Sequence, residues 1–249
     1  MSAFRMVLVC AALIVSTAQA HATLIDTTAP FDSAWRPFGE PITQTYGQTF
    51  TAPSDNVIDS FSLFLTGAPF VEPTEPFNSE TFPFIFPVEF KAYLYAWDGE
   101  KATGPALFTS GLQAFLGSPM NSPQEFAFAT GGITLTPGAK YVAFLNAVFD
   151  GDQSMAFMPN AGPLPSNPYA GGDFVYYNND TFDLLTTTPW EQPGDPRLGD
   201  VWFKASFSPA SAAVPEPSSL VLLSLLGGAT LLSRTRWSAR RGTGAPISR

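Results

Sequence analysis

Apolar and polar residues alternate along the middle of this chain with a period of two. Over 57–66, Phe61, Leu63 and Leu65 share one face; over 88–97, Phe90, Ala92, Leu94 and Ala96 share one face while Lys91, Tyr93, Tyr95 and Trp97 take the other. That period places successive side chains on opposite sides of an extended strand and fits no helix. The same reading predicts strands at 48–52, 106–109, 124–129, 133–136, 141–148, 155–158, 174–177 and 201–207. Between them lie turn sequences: Asp98-Gly99, Thr130-Gly131-Gly132, Pro137-Gly138, Asp150-Gly151-Asp152, Gly171-Gly172 and Asn178-Asn179-Asp180. Prolines and glycines recur too often for long helical runs. Roughly ten short strands punctuated in this way predict an all-β fold, an antiparallel jelly-roll-like β-sandwich. The proline-rich connections 69–87 and 159–169 are expected on its surface, and no internal repeat is present.

Both ends break the alternation. After Arg5, residues 6–15 form an almost unbroken apolar run, followed by two overlapping A-x-A matches, Ala18-Gln19-Ala20 and Ala20-His21-Ala22. This is the shape of a signal peptide over 1–22, with signal peptidase as the partner and a mature chain starting near His21 or Thr23. The run is too short to span a bilayer, which takes about 20 residues. Cys10 lies inside it with Val7 where a lipobox would have leucine, so lipidation is not expected. A β-sandwich body over 23–208 then gives way to a small, uncharged linker at 209–213. Residues 218–233 carry no charge. As a helix they would reach about 24 Å, against a hydrocarbon core of about 30 Å. Arg234, Arg236, Arg240 and Arg241 follow directly, ahead of a tail at 242–249. By the positive-inside rule this basic cluster stays cytoplasmic, leaving the body outside and the chain membrane-bound through its C-terminal helix.

Composition narrows the chemistry. Among 249 residues Cys10 is the only cysteine and His21 the only histidine. A body without a thiol and with at most one imidazole excludes disulfides, Cys/His zinc sites, cysteine nucleophiles and a Ser-His-Asp triad. Of the 21 carboxylates all but Glu216 fall in the body, against six bases, Arg36, Lys91, Lys101, Lys140, Arg197 and Lys204, an excess of 14 negative charges. Such a surface repels phosphate backbones, so nucleic acid is excluded as a partner.

Three kinds of candidate site remain. Tyr93, Tyr95 and Trp97 form an aromatic stripe on one face of a strand, suited to stacking against pyranose rings of a polysaccharide. The competing reading packs the stripe under a loop or into a second core. Tyr176 and Tyr177 are adjacent, so they point to opposite faces and cannot share a platform. Calcium wants six to eight oxygens, and Asp150 and Asp152, with Asn178 and Asp180, are the richest clusters. Neither completes an EF-hand loop, and both are ordinary turn sequences. No other cofactor is expected. A glycosidase needs two carboxylates roughly 5 to 9.5 Å apart. Glu89, Asp98 and Glu125 are available, but no motif selects a pair, and the expectation is that the chain is not an enzyme.

The C-terminal order Val214-Pro215-Glu216-Pro217, apolar span, arginine cluster resembles the PEP-CTERM sorting signal of Gram-negative bacteria, here over 214–241. The resemblance implies that Pro215, Glu216 and Pro217 are recognised by exosortase, a membrane cysteine peptidase. It also implies that residues 218–233 hold the chain in the membrane and that Arg234, Arg236, Arg240 and Arg241 stop export. It further implies passage through the inner membrane to the cell surface, outer membrane or extracellular space, and a link to exopolysaccharide or biofilm matrix. Two prolines fix an extended segment whose backbone no helix has sequestered, which is what a peptidase binds. The eight residues after Arg241 are longer than the family's usual basic ending. The phrase Tyr95-Ala96-Trp97-Asp98-Gly99 followed by Ala102-Thr103-Gly104-Pro105-Ala106-Leu107-Phe108 resembles a module carried by other proteins with this tail. The expected function is structural or interactive and non-catalytic, with a lectin-like sandwich face as the alternative.

Overall fold

The computed structural model describes residues 22–40, 43–71, 87–148, 154–161, 167–178, 181–191 and 199–210. They form twelve strands: β1 (Thr23–Asp26), β2 (Ala34–Gly39), β3 (Thr45–Thr51), β4 (Val57–Val71), β5 (Val88–Trp97), β6 (Ala102–Thr109), β7 (Gln113–Phe115), β8 (Gln124–Thr134), β9 (Lys140–Ala147), β10 (Ser154–Pro159), β11 (Phe174–Tyr177) and β12 (Phe203–Ser208). One short 3₁₀ turn, Phe182–Thr186, is the only helical element among the described residues. No helix among them is long and apolar enough to cross a membrane; the span expected at 218–233 lies outside the described residues.

The strands build two antiparallel sheets. The first runs β1-β12-β4-β10-β2 with β8 also on β4, and the second runs β11-β3-β9-β5-β6 with β7 also on β5. Length explains the doubled partners. The first half of β4 pairs with β12 on one side and β8 on the other, and its last residues pair with β10. The principal pairs nest: β1 with β12, β3 with β9, β4 with β8, β5 with β6. Thr23 therefore stands opposite Phe207.

Rings from the facing sheets meet in the core. Phe50 of β3 stacks on Phe203 of β12 at 5.6 Å, Phe90 of β5 meets Phe126 of β8 edge-on at 4.9 Å, and Phe61 of β4 meets Phe108 of β6 at 5.6 Å. Phe61, Leu63 and Leu65 point into this core, as do Phe90, Ala92 and Leu94, in agreement with the period-two pattern. With no thiol in the body, burial of this aromatic mass supplies the stability, at about 25 cal/mol per Å² of apolar surface.

One predicted turn resolves differently, and one hairpin carries a bulge that was not expected. Thr130-Gly131-Gly132 does not reverse the chain, so 124–136 holds one strand, β8, where two were expected. Its glycines, at φ +78° and +82°, form a bulge, since Ser60 pairs Ala129 while Ile58 pairs Ile133. A side chain would resist that backbone conformation. In the β5–β6 hairpin, residues 104–107 stand opposite the single residue Tyr95, because Leu94 pairs Phe108 and Ala96 pairs Thr103. This wide bulge carries Pro105, which has no N–H to offer, on the edge of its sheet.

Candidate functional site

The aromatic stripe on the outer face of β5 is the first candidate, and the segment 181–191 decides its fate. Phe182, Leu185 and Trp190 fold over it and close a second core with Ala102, Val142, Phe144, Val175 and Tyr177. Tyr93 stacks on Phe144 at 5.2 Å and meets Phe182 at 4.8 Å; Tyr95 stacks on Phe144 at 5.7 Å. Trp97 meets Trp190 edge to face at 5.4 Å. Tyr95 and Trp97 are each only 7% exposed. Tyr93 is half-buried. Of the two readings of the stripe, the arrangement found is the packed one, under a loop and in a second core, and not an open platform. Their ring faces are already taken by other rings, so a pyranose would have to displace 181–191 to stack there. Burial raises both phenols, with Tyr95 adding to the effect on Tyr93.

Backbone bonds lock the cover. Trp190 donates its N–H to the Glu100 carbonyl (2.9 Å) and its Nε1 to the Leu185 carbonyl (2.8 Å). Tyr176 and Glu191 exchange N–H···O bonds of 3.0 and 2.9 Å, adding one bridge to the outer side of β11. Tyr176 packs toward the main core and Tyr177 into the second, on opposite faces as their adjacency requires.

Asp98 sits at the β5–β6 turn, where its Oδ1 accepts the N–H of Glu100 (2.8 Å) and Lys101 (2.9 Å) and its Oδ2 faces Lys101 Nζ at 3.2 Å. These donors, the Glu100 N–H foremost, hold its carboxyl below the usual range. Glu125 pairs with Lys204 across β8 and β12 at 3.3 Å. Glu89 lies nine residues before Asp98, at the other end of β5, so about 30 Å separates them. Glu125 belongs to the opposite sheet. The fold does not assemble these three acids into a pair.

Of the calcium candidates, Asn178 is exposed after β11, while Asp150, Asp152 and Asp180 lie outside the described residues. So do Pro215, Glu216, Pro217, Arg234, Arg236, Arg240 and Arg241. Among the described residues no three His, Cys, Asp or Glu side chains gather as a metal site.

Sequence reasoning missed one polar centre altogether. Asp200, 2% exposed, accepts Gln48 Nε2 (2.5 Å) and the Tyr169 N–H (2.9 Å), and Gln48 Oε1 accepts the Val201 N–H (3.0 Å). With its amide turned to donate, Asn167 Nδ2 reaches Asp200 Oδ2 at 2.8 Å and the Tyr169 carbonyl at 3.0 Å. Burial pushes the Asp200 carboxyl up to about 6, against the pull of the Tyr169 and Gln48 donors and with a further push from Asp173. The group clasps 167–173 onto β3 and the segment that leads into β12. Gly172 permits the contact, because a Cβ there would stand 1.7 Å from the Thr49 carbonyl oxygen. The Gly171-Gly172 pair was the sequence signal for this approach, although it reads as a turn.

Compared with known proteins, the chain matches no family model and no curated protein.

Proposed function

We propose that this is an exported, non-catalytic jelly-roll protein of the cell surface or extracellular matrix that acts by interaction and is sorted by an exosortase-type system. The observation that carries the reading is the pairing of Thr23 with Phe207. A precursor held in one membrane by a segment before residue 23 and another after residue 210 must start and finish its body at the same end. Neighbouring strands β1 and β12 satisfy that requirement, so the body can fold while both targeting segments remain in place. The nested strand pairs fit a jelly roll, which has two Greek keys wound from one long antiparallel ribbon. The acidic surface suits a soluble life outside the cell. The covered stripe and the separated carboxylates favour a scaffold or partner-binding role over a lectin or a glycosidase.

The test is the fate of the Glu216→Ala chain in an exosortase-bearing Gram-negative host. The expected result is uncleaved, membrane-held protein, and normal release of the variant overturns the sorting reading. The processed protein, offered a panel of glycans and exopolysaccharides with and without calcium, is expected to release no reducing sugar. Saturable binding lost in Trp97→Ala with the fold intact would restore the lectin reading.

A further inference from the structure

We propose that signal peptidase cuts between Ala22 and Thr23 and that the new α-ammonium of Thr23 is seated on the carboxylate of Asp55; this rests on the export reading above. The sequence leaves two A-x-A sites two residues apart, and the fold distinguishes them. Thr23 is the first residue of β1 and the first to enter the ladder, opposite Phe207. Ala22, just before it, is exposed. Thr23 Oγ1 donates to Asp55 Oδ2 at 2.7 Å.

Asp55 lies in the turn between β3 and β4, partly buried, and among the described residues it has no cationic partner. The side chain that donates to it, the Thr23 hydroxyl, is neutral. Hydrolysis of the Ala22–Thr23 bond consumes one water, leaves a carboxylate on Ala22 and places an ammonium on Thr23. That ammonium is three covalent bonds from the hydroxyl oxygen, within about 4 Å of it. It thus arrives beside a carboxylate that already binds the same residue, and a charge-assisted bond replaces a chain that continued as a neutral amide. A cut after Ala20 instead leaves His21 and Ala22 as an overhang outside the ladder, with the new charge two residues away. Cleavage at Thr23 makes the mature N-terminus part of the fold, one strand from where the chain leaves β12 toward its tail.

The full chain, secreted by a Gram-negative host, supplies the test through intact mass and N-terminal sequencing. The expected mature protein begins at Thr23. A product beginning at His21 overturns this inference and leaves the export reading standing, whereas an unprocessed, unexported precursor overturns both. Ala22→Leu removes the second A-x-A match and directs the cut to His21. Asp55→Asn is expected to lower Tm by about 1–3 °C more in the Thr23-start protein than in the His21-start protein, the worth of a partly exposed ion pair. Equal losses in the two backgrounds overturn the seating on Asp55, because the hydroxyl bond is common to both.

Discussion

Trp190 lies edge-on to Trp97 with ring centroids 5.4 Å apart, and this contact turns the outer face of one sheet from a surface into an interior. Trp190→Ala is expected to destabilise the protein by about 3–5 kcal/mol, the range for removing a large buried aromatic. Urea unfolding followed by far-UV circular dichroism measures it. A loss below about 1 kcal/mol would mean that 181–191 is a loose flap and that the stripe can open.

Gly172→Ala places a methyl group where the Thr49 carbonyl already stands. Either 167–173 or β3 has to move, at a cost of about 1–3 kcal/mol or more. Amide hydrogen exchange should show lost protection at Thr49 and Phe174, whose N–H groups donate to Asp173 and Gly199. Unchanged protection would show that the clasp tolerates displacement.

The Asp200 carboxyl, pushed up to about 6 in the folded protein, makes stability depend on pH in a direction opposite to that of a salt-bridged aspartate. The folded state holds its proton more tightly than the unfolded chain, whose group titrates near 3.9. The contribution is fully present below about pH 4 and is lost as pH rises through about 6. The stability advantage of the wild type over Asp200→Asn, which cannot titrate, should therefore shrink between these values. Urea midpoints of both proteins across this range measure it, and an advantage that grows with pH contradicts the assignment.

A chain ending at residue 199 lacks β12, the strand between β1 and β4. It is expected to show no near-UV circular dichroism and to stay unfolded, since its loss removes two ladders and Phe203, Ala205 and Phe207 from the core. Native-like spectra from that truncation would mean that the sandwich closes without its last strand.

What was legible in the sequence is what a single strand records about itself. The two faces of β5, the burial of Phe61, Leu63 and Leu65, and the opposition of Tyr176 and Tyr177 all follow from period two. What escaped depends on distant partners. β1 is four residues long and reads as a strand only beside β12, which lies more than 170 residues later. β2 carries Pro37, which argues against a strand until the bulge opposite Ala156 and Met158 is seen. The cover over Trp97 comes from about 90 residues downstream, in a segment with no alternation of its own. Asp200 gave no local sign either, for its significance lies in Gln48, Tyr169 and Asn167 closing round it.

The position of β12 also bears on force. If the protein is held by its C-terminal end while the surrounding medium drags on the body, tension enters at Ser208 and runs lengthwise along a strand flanked on both sides. Hydrogen bonds to β1 and to β4 then resist together as sliding ladders, not one after another as in a peeled edge, and the attachment point becomes one of the stiffer parts of the molecule.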